Sequence, residues 1–98
     1  MDRKVLEDFL MKNDVRPNLK GFNYLIKATV IYESGQPAMR LYEDVADAYN
    51  TTVTRAERAI RHAIQTSNLP ELSGFKKNSE VIAWLNLKYR RVNGGIAR

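Results

Sequence analysis

Residues 41–65, LYEDVADAYNTTVTRAERAIRHAIQ, constrain this chain more than any other stretch, because they read as two short amphipathic helices joined by a tight turn. With residues placed about 100° apart around a helix, Val53, Ala56, Ile60, Ala63 and Ile64 share one narrow sector, the stripe of a helix docked on a core. Thr54, Arg55, Arg58, Arg61, His62 and Gln65 fall opposite. Glu57 is the only acid in this helix, so the outer face lacks the alternating charges of an ordinary solvated helix. Thr52 can cap the helix, and Thr54 with Glu57 three residues on can form a capping box instead. Either choice puts Arg55 and Arg58 in the first two turns.

The preceding helix carries its apolar residues at Leu41, Val45, Ala46 and Tyr49, with Ala46 small where the two helices must approach. Asn50 stands at the sharp turn, where a residue able to adopt positive φ is needed. This pattern predicts a helix-turn-helix over about 41–65, with a recognition helix over about 53–65. A helical hairpin used only for packing has the same pattern.

Around this centre the chain reads as all-α, a single domain over residues 1–98 of about five to six helices. Residues 2–13 form an amphipathic helix burying Val5, Leu6, Phe9 and Leu10, and residues 14–17 break it before Pro17. A second helix is predicted from the N-cap Asn18 to residue 34, with Phe22, Leu25, Ile26, Thr29 and Val30 inward and Gly35 as its stop. Residues 68–77, with Pro70 and Gly74, read as a loop. A last helix from 78 or 79 to about 92 buries Val81, Ile82, Leu85 and Tyr89, and Gly94 and Gly95 end it. The pattern does not assign Trp84 to core or surface.

Charge is unevenly placed. Residues 1–50 hold seven Lys or Arg and eight Asp or Glu, net −1, whereas residues 51–98 hold nine and three, net +6. The positive excess lies in the half with the candidate recognition helix, which suggests a polyanionic partner. The chain has no cysteine, which excludes disulfides and thiolate metal sites and fits a reducing compartment. No secretory signal and no apolar run long enough to span a membrane is present, so a cytoplasmic location is expected. An enzyme is not expected. The single histidine has no evident partner, no paired carboxylates sit in an apolar setting, and no glycine-rich phosphate loop occurs. No metal and no cofactor are expected.

The strings YNTTVTRAERAIRHAI, Lys20 to Leu25 (KGFNYL) and Asn78-Ser79-Glu80 together resemble the C-terminal DNA-binding domain of the master response regulator of endospore formation in bacteria. The resemblance covers roughly residues 5–90. It implies a transcriptional regulator that binds double-stranded DNA, with Arg55, Glu57 and Arg58 facing the major groove and a TGTCGAA-like core as the first sequence to try. Three departures stand out. The chain begins some fifty residues before the recognition helix, so no receiver domain and no phosphorylation switch are expected. The 66–77 connection is shorter than the family's and lacks its tryptophan-arginine-glycine stretch. Ala56 stands where the family carries a larger aliphatic, which predicts a looser docking of that turn.

The chemistry of the residues agrees with base reading from Arg55 and Arg58, whose planar forks match guanine O6 and N7. Glu57 could accept a cytosine N4 proton, orient Arg58 or Arg61, or stabilise the helix dipole. Arg61 and His62 fit phosphate contacts, as do the hydroxyls of Thr51, Thr52 and Thr54 and the ammonium groups of Lys76 and Lys77. Arg90 and Arg91 either flank the DNA or are solvated. About six neutralised phosphates give a salt slope near −5. One copy reads too few base pairs for selective binding, so a homodimer or tandem array on DNA is expected. The alternative is a protein-interaction module that modulates a full-length response regulator or another transcription component, such as RNA polymerase.

Overall fold

The computed structural model describes residues 3–96, with side chains described through Arg90. All regular structure among them is helical: α1 (Arg3–Lys12), α2 (Lys20–Ile31), α3 (Ala38–Ala48), α4 (Val53–Gln65), α5 (Leu69–Ser73) and α6 (Asn78–Ile96). No helix among the described residues is long and apolar enough to cross a membrane.

Leu6 and Leu10 lie one turn apart on α1 and are both buried. The chain leaves α1 through Asp14 at φ 68°, and the Val15 N–H closes back on the Leu10 carbonyl at 2.9 Å. This is the six-to-one bond of a Schellman turn, and it drops Val15 into the core. The exit from α3 repeats the device. Asn50 takes φ 53°, and the Thr51 N–H reaches the Ala46 carbonyl at 2.9 Å. Short polar side chains tolerate this left-handed conformation where a bulky one would be strained. Among the described residues, Asp14 and Asn50 are the two non-glycine residues with positive φ.

The centre of the molecule is α2, which packs most extensively on α4 and also against α6, α3 and α1. Its buried residues are Gly21, Phe22, Leu25, Ile26, Ala28 and Thr29. Gly21 marks the closest approach. A Cβ there would stand 2.1 Å from the Ala59 carbonyl oxygen of α4 and 2.9 Å from the Ala63 Cβ. The other end of α2 is closed from a distance of 57 residues in sequence, because the buried Asn86 side chain of α6 donates to the Thr29 carbonyl at 2.8 Å. It also reaches the Tyr32 carbonyl at 3.4 Å. Carbonyls in the last turn of a helix lack an internal donor, and Asn86 supplies one where water has no access.

Several expectations are corrected. Val5 and Val30 are 48% and 40% exposed, so neither belongs to the core stripe of its helix. Each sits at the edge of its apolar sector and is turned partly to solvent. The second helix starts after Leu19 rather than Asn18 and ends at Ile31, before Ser34. Residues 69–73 form a short helix where a loop is expected; Pro70 falls in its first turn, where the missing N–H costs nothing. Gly74, at φ 80°, ends it. The last helix continues through Gly94 and Gly95 to Ile96, since glycine lowers helix propensity without forbidding the conformation. Trp84 is half-buried against the core, its ring centroid 6.2 Å from that of Phe9, with the Lys88 ammonium 5.0 Å above it.

Tyr42 on α3 is 8% exposed. Burial pushes its phenol above the ordinary value of 10.0, the Glu57 carboxylate of α4 pushes it further, and the Arg61 guanidinium opposes them. Neutral Tyr42 therefore contributes stability that is intact below pH 10 and lost as the pH rises through the elevated folded value.

Three outcomes follow from this architecture. Gly21→Ala lowers the unfolding free energy by about 3 kcal/mol, read from the urea midpoint, because backbone on α4 cannot yield as a side-chain tip can. Asn86→Ala costs about 2 kcal/mol by leaving a buried carbonyl unpaired. In an alkaline titration followed by tyrosinate absorbance, Tyr42→Phe removes the component with the highest midpoint and moves alkaline unfolding to higher pH.

Candidate nucleic-acid interface

The start of α4 is fixed by Thr52, whose hydroxyl oxygen accepts from the Arg55 N–H at 3.1 Å. Of the two capping schemes open to the sequence, this is the one adopted. Its effect is to hold the backbone of Arg55 at the first turn. Rotation of the helix about its own axis is set by Ala56, Ile60, Ala63 and Ile64, which are fully buried. Ala56 sits flush with the core. With that side anchored, Thr54, Arg55, Arg58, Arg61, His62 and Gln65 are all exposed, as their spacing predicts.

The charges on this face are not equivalent. Arg61 and Glu57 form a two-point pair one helical turn apart: Nε donates to Oε2 at 3.0 Å and Nη2 donates to Oε1. Of the orientations open to Glu57 in the sequence, the carboxylate turns to Arg61 and not to Arg58. Arg55, Arg58 and His62 form no ion pair among the described residues. Two unopposed guanidiniums therefore stand over the leading turns, followed by a neutralised pair. On α3 the charge is reversed. A groove lined by Arg40, Glu43, Asp44, Asp47, Thr51 and Thr52 borders the turn into α4. Within it Arg40 pairs with Asp44 at 3.4 Å, and Thr51 is half-buried.

The fold brings Thr54, Arg55, Glu57, Arg58, Arg61 and His62 together on one helix, with Thr51 and Thr52 at its entrance. Thr52 already spends one lone pair as the cap, although its hydroxyl proton remains available. Lys76 and Lys77 lie elsewhere, exposed on the connection between α5 and α6. Arg90 is exposed, and the side chain of Arg91 falls outside the described residues. No group of His, Cys, Asp or Glu among the described residues is arranged to hold a metal. One neighbour of the site escaped the sequence reading. The buried Tyr42 of α3 lies within electrostatic range of both Glu57 and Arg61. Its i, i+3 spacing to Val45 was the available signal.

Comparison with known families places this geometry in context. The family model described as "Sporulation initiation factor Spo0A C terminal" matches residues 6–71, two-thirds of the chain. The matched stretch runs from α1 to α5 and includes the whole of α3, the turn and α4. The resemblance at Asn78-Ser79-Glu80 lies beyond it. With its all-helical core and its exposed basic helix, the chain belongs to the Spo0A C-terminal family of DNA-binding regulatory domains.

Proposed function

We propose that this chain is a sequence-specific DNA-binding transcriptional regulator, a single helical domain in which α3, the Asn50 turn and α4 act as a helix-turn-helix and α4 enters the major groove. The observation that carries this reading is the pair of unopposed guanidiniums, Arg55 and Arg58, on the leading turns of a helix whose opposite side is locked in the core. The first turns of a recognition helix are the ones that meet base edges. Arg55 and Arg58 each match a guanine at two points, at roughly 1 to 3 kcal/mol of discrimination apiece. Glu57 retains lone pairs beyond those given to Arg61 and can accept from a cytosine N4.

The DNA backbone falls to Thr51, Thr52, Thr54, Arg61, His62, Lys76 and Lys77. The acidic groove beside Thr51 restricts phosphate to the α4 side of the turn. DNA binding places the protein in the compartment that holds the chromosome, the cytoplasm. A single copy covers little surface, so two copies bind together or in tandem on the duplex. A second reading, a module that docks on a response regulator or on RNA polymerase, draws on the exposed Leu72, Phe75 and Leu87. Fluorescence anisotropy with a random-sequence duplex at low salt separates the two, since a pure protein-interaction module does not bind it.

Once a preferred duplex has been selected from a random pool, Arg55→Ala reduces its preference over scrambled sequence by about ten- to a hundredfold. Lys77→Ala weakens both duplexes alike and flattens the salt slope by about 0.9. Equal losses on both duplexes in the two variants would refute the assignment of base and backbone roles.

A further inference from the structure

We infer that Glu57 governs how well the helix separates right from wrong sequences by tethering Arg61, so that Arg61 answers a phosphate in one place rather than any phosphate nearby. This rests on the DNA-binding reading and adds to it a positioning role for one acid.

Both oxygens of Glu57 are engaged by Arg61, through Nε and Nη2. A guanidinium has five N–H donors, so three remain, and their direction is set by the grip at the other two. The acid precedes the base by four residues, the more favourable order on a helix. Glu57 is also the better buried partner, with 25% of its side chain exposed against 49% for Arg61. It is thus the anchor of the pair, and Arg61 is the arm. Arg55 and Arg58 have no such anchor.

Two consequences follow for binding. Seen from a Debye length away, the pair is neutral, so it adds little to the counterion release that drives adhesion to any duplex. In the register where base edges are matched, a phosphate that meets the outer N–H groups finds them already oriented, with little rotamer freedom left to lose. The tether lowers the floor of non-specific binding while preserving the specific contact.

The test titrates the protein, Glu57→Gln, Arg61→Ala and the double variant against the selected and scrambled duplexes over a range of salt, with circular dichroism melts confirming each fold. Glu57→Gln should bind scrambled duplex about fivefold tighter at low salt, with a slope steeper by about 0.9. The selected duplex should gain less, so the preference falls, and evenly across base positions. In the Arg61→Ala background the slope change should disappear. Arg61→Lys keeps the charge but cannot be gripped at two points, and it should move the same way by a smaller amount. An unchanged slope with loss confined to one base pair would mean that Glu57 acts only by accepting from a base and that the tether has no effect, and equal gains on both duplexes would mean bulk charge alone; either overturns the inference. A parent protein that binds neither duplex would bring down the DNA-binding reading itself, and this inference with it.

Discussion

The contact on which the rest depends is between backbones: α2 lies so close to α4 at Gly21 that the Ala59 carbonyl fills the space a side chain would need. Close approach of this kind leaves little slack. It lets Ala56, Ile60, Ala63 and Ile64 sink completely, and their burial fixes which residues of α4 can face outward. The direction of Arg55 and Arg58 is therefore decided on the far side of the helix, by a glycine thirty-odd residues upstream in the chain. Small residues do the same work along α4, where Ala56, Ala59 and Ala63 allow neighbouring helices to come near.

The helix-turn-helix candidate was legible because each of its signals is local. The stripe on α4, the Thr52 cap and the positive φ at Asn50 all follow from residue type and spacing over a few positions. What remained hidden depends on partners distant in sequence. Val5 and Val30 look apolar enough to bury, yet nothing in their own helices reveals how incompletely each is covered. Asn86 carries no local mark of a buried cap for α2, since its acceptors lie on another helix. Pro70 was read as a breaker, but the same residue is welcome in a first turn. Trp84 gave no stripe position, and its place against Phe9 emerges only when α1 and α6 come together.

At the candidate site the sequence established which side chains share a face, and left open how they treat one another. Glu57 had several orientations available in the sequence, and only the folded side chains show that it takes Arg61. Three equal arginines would make an evenly basic face, whereas two unopposed arginines beside a restrained third make a graded one, most positive at the leading turns of α4. The acids of α3 sharpen the gradient, because the groove on the other side of the turn is lined by Glu43, Asp44 and Asp47.

Asn86 lies on α6, beyond the residues that the family model matches, yet it closes the end of α2, and α2 is the platform beneath α4. Val81, Ile82 and Leu85 of α6 fill the same core. The matched segment and the folding unit consequently do not coincide. A fragment excised at the limits of the matched segment would keep the exposed face of α4 and lose both the Lys76–Lys77 connection and the buttress that α6 gives to α2. Changes on the hidden side of the final helix thus reach the platform beneath α4 without altering a single residue of its exposed face.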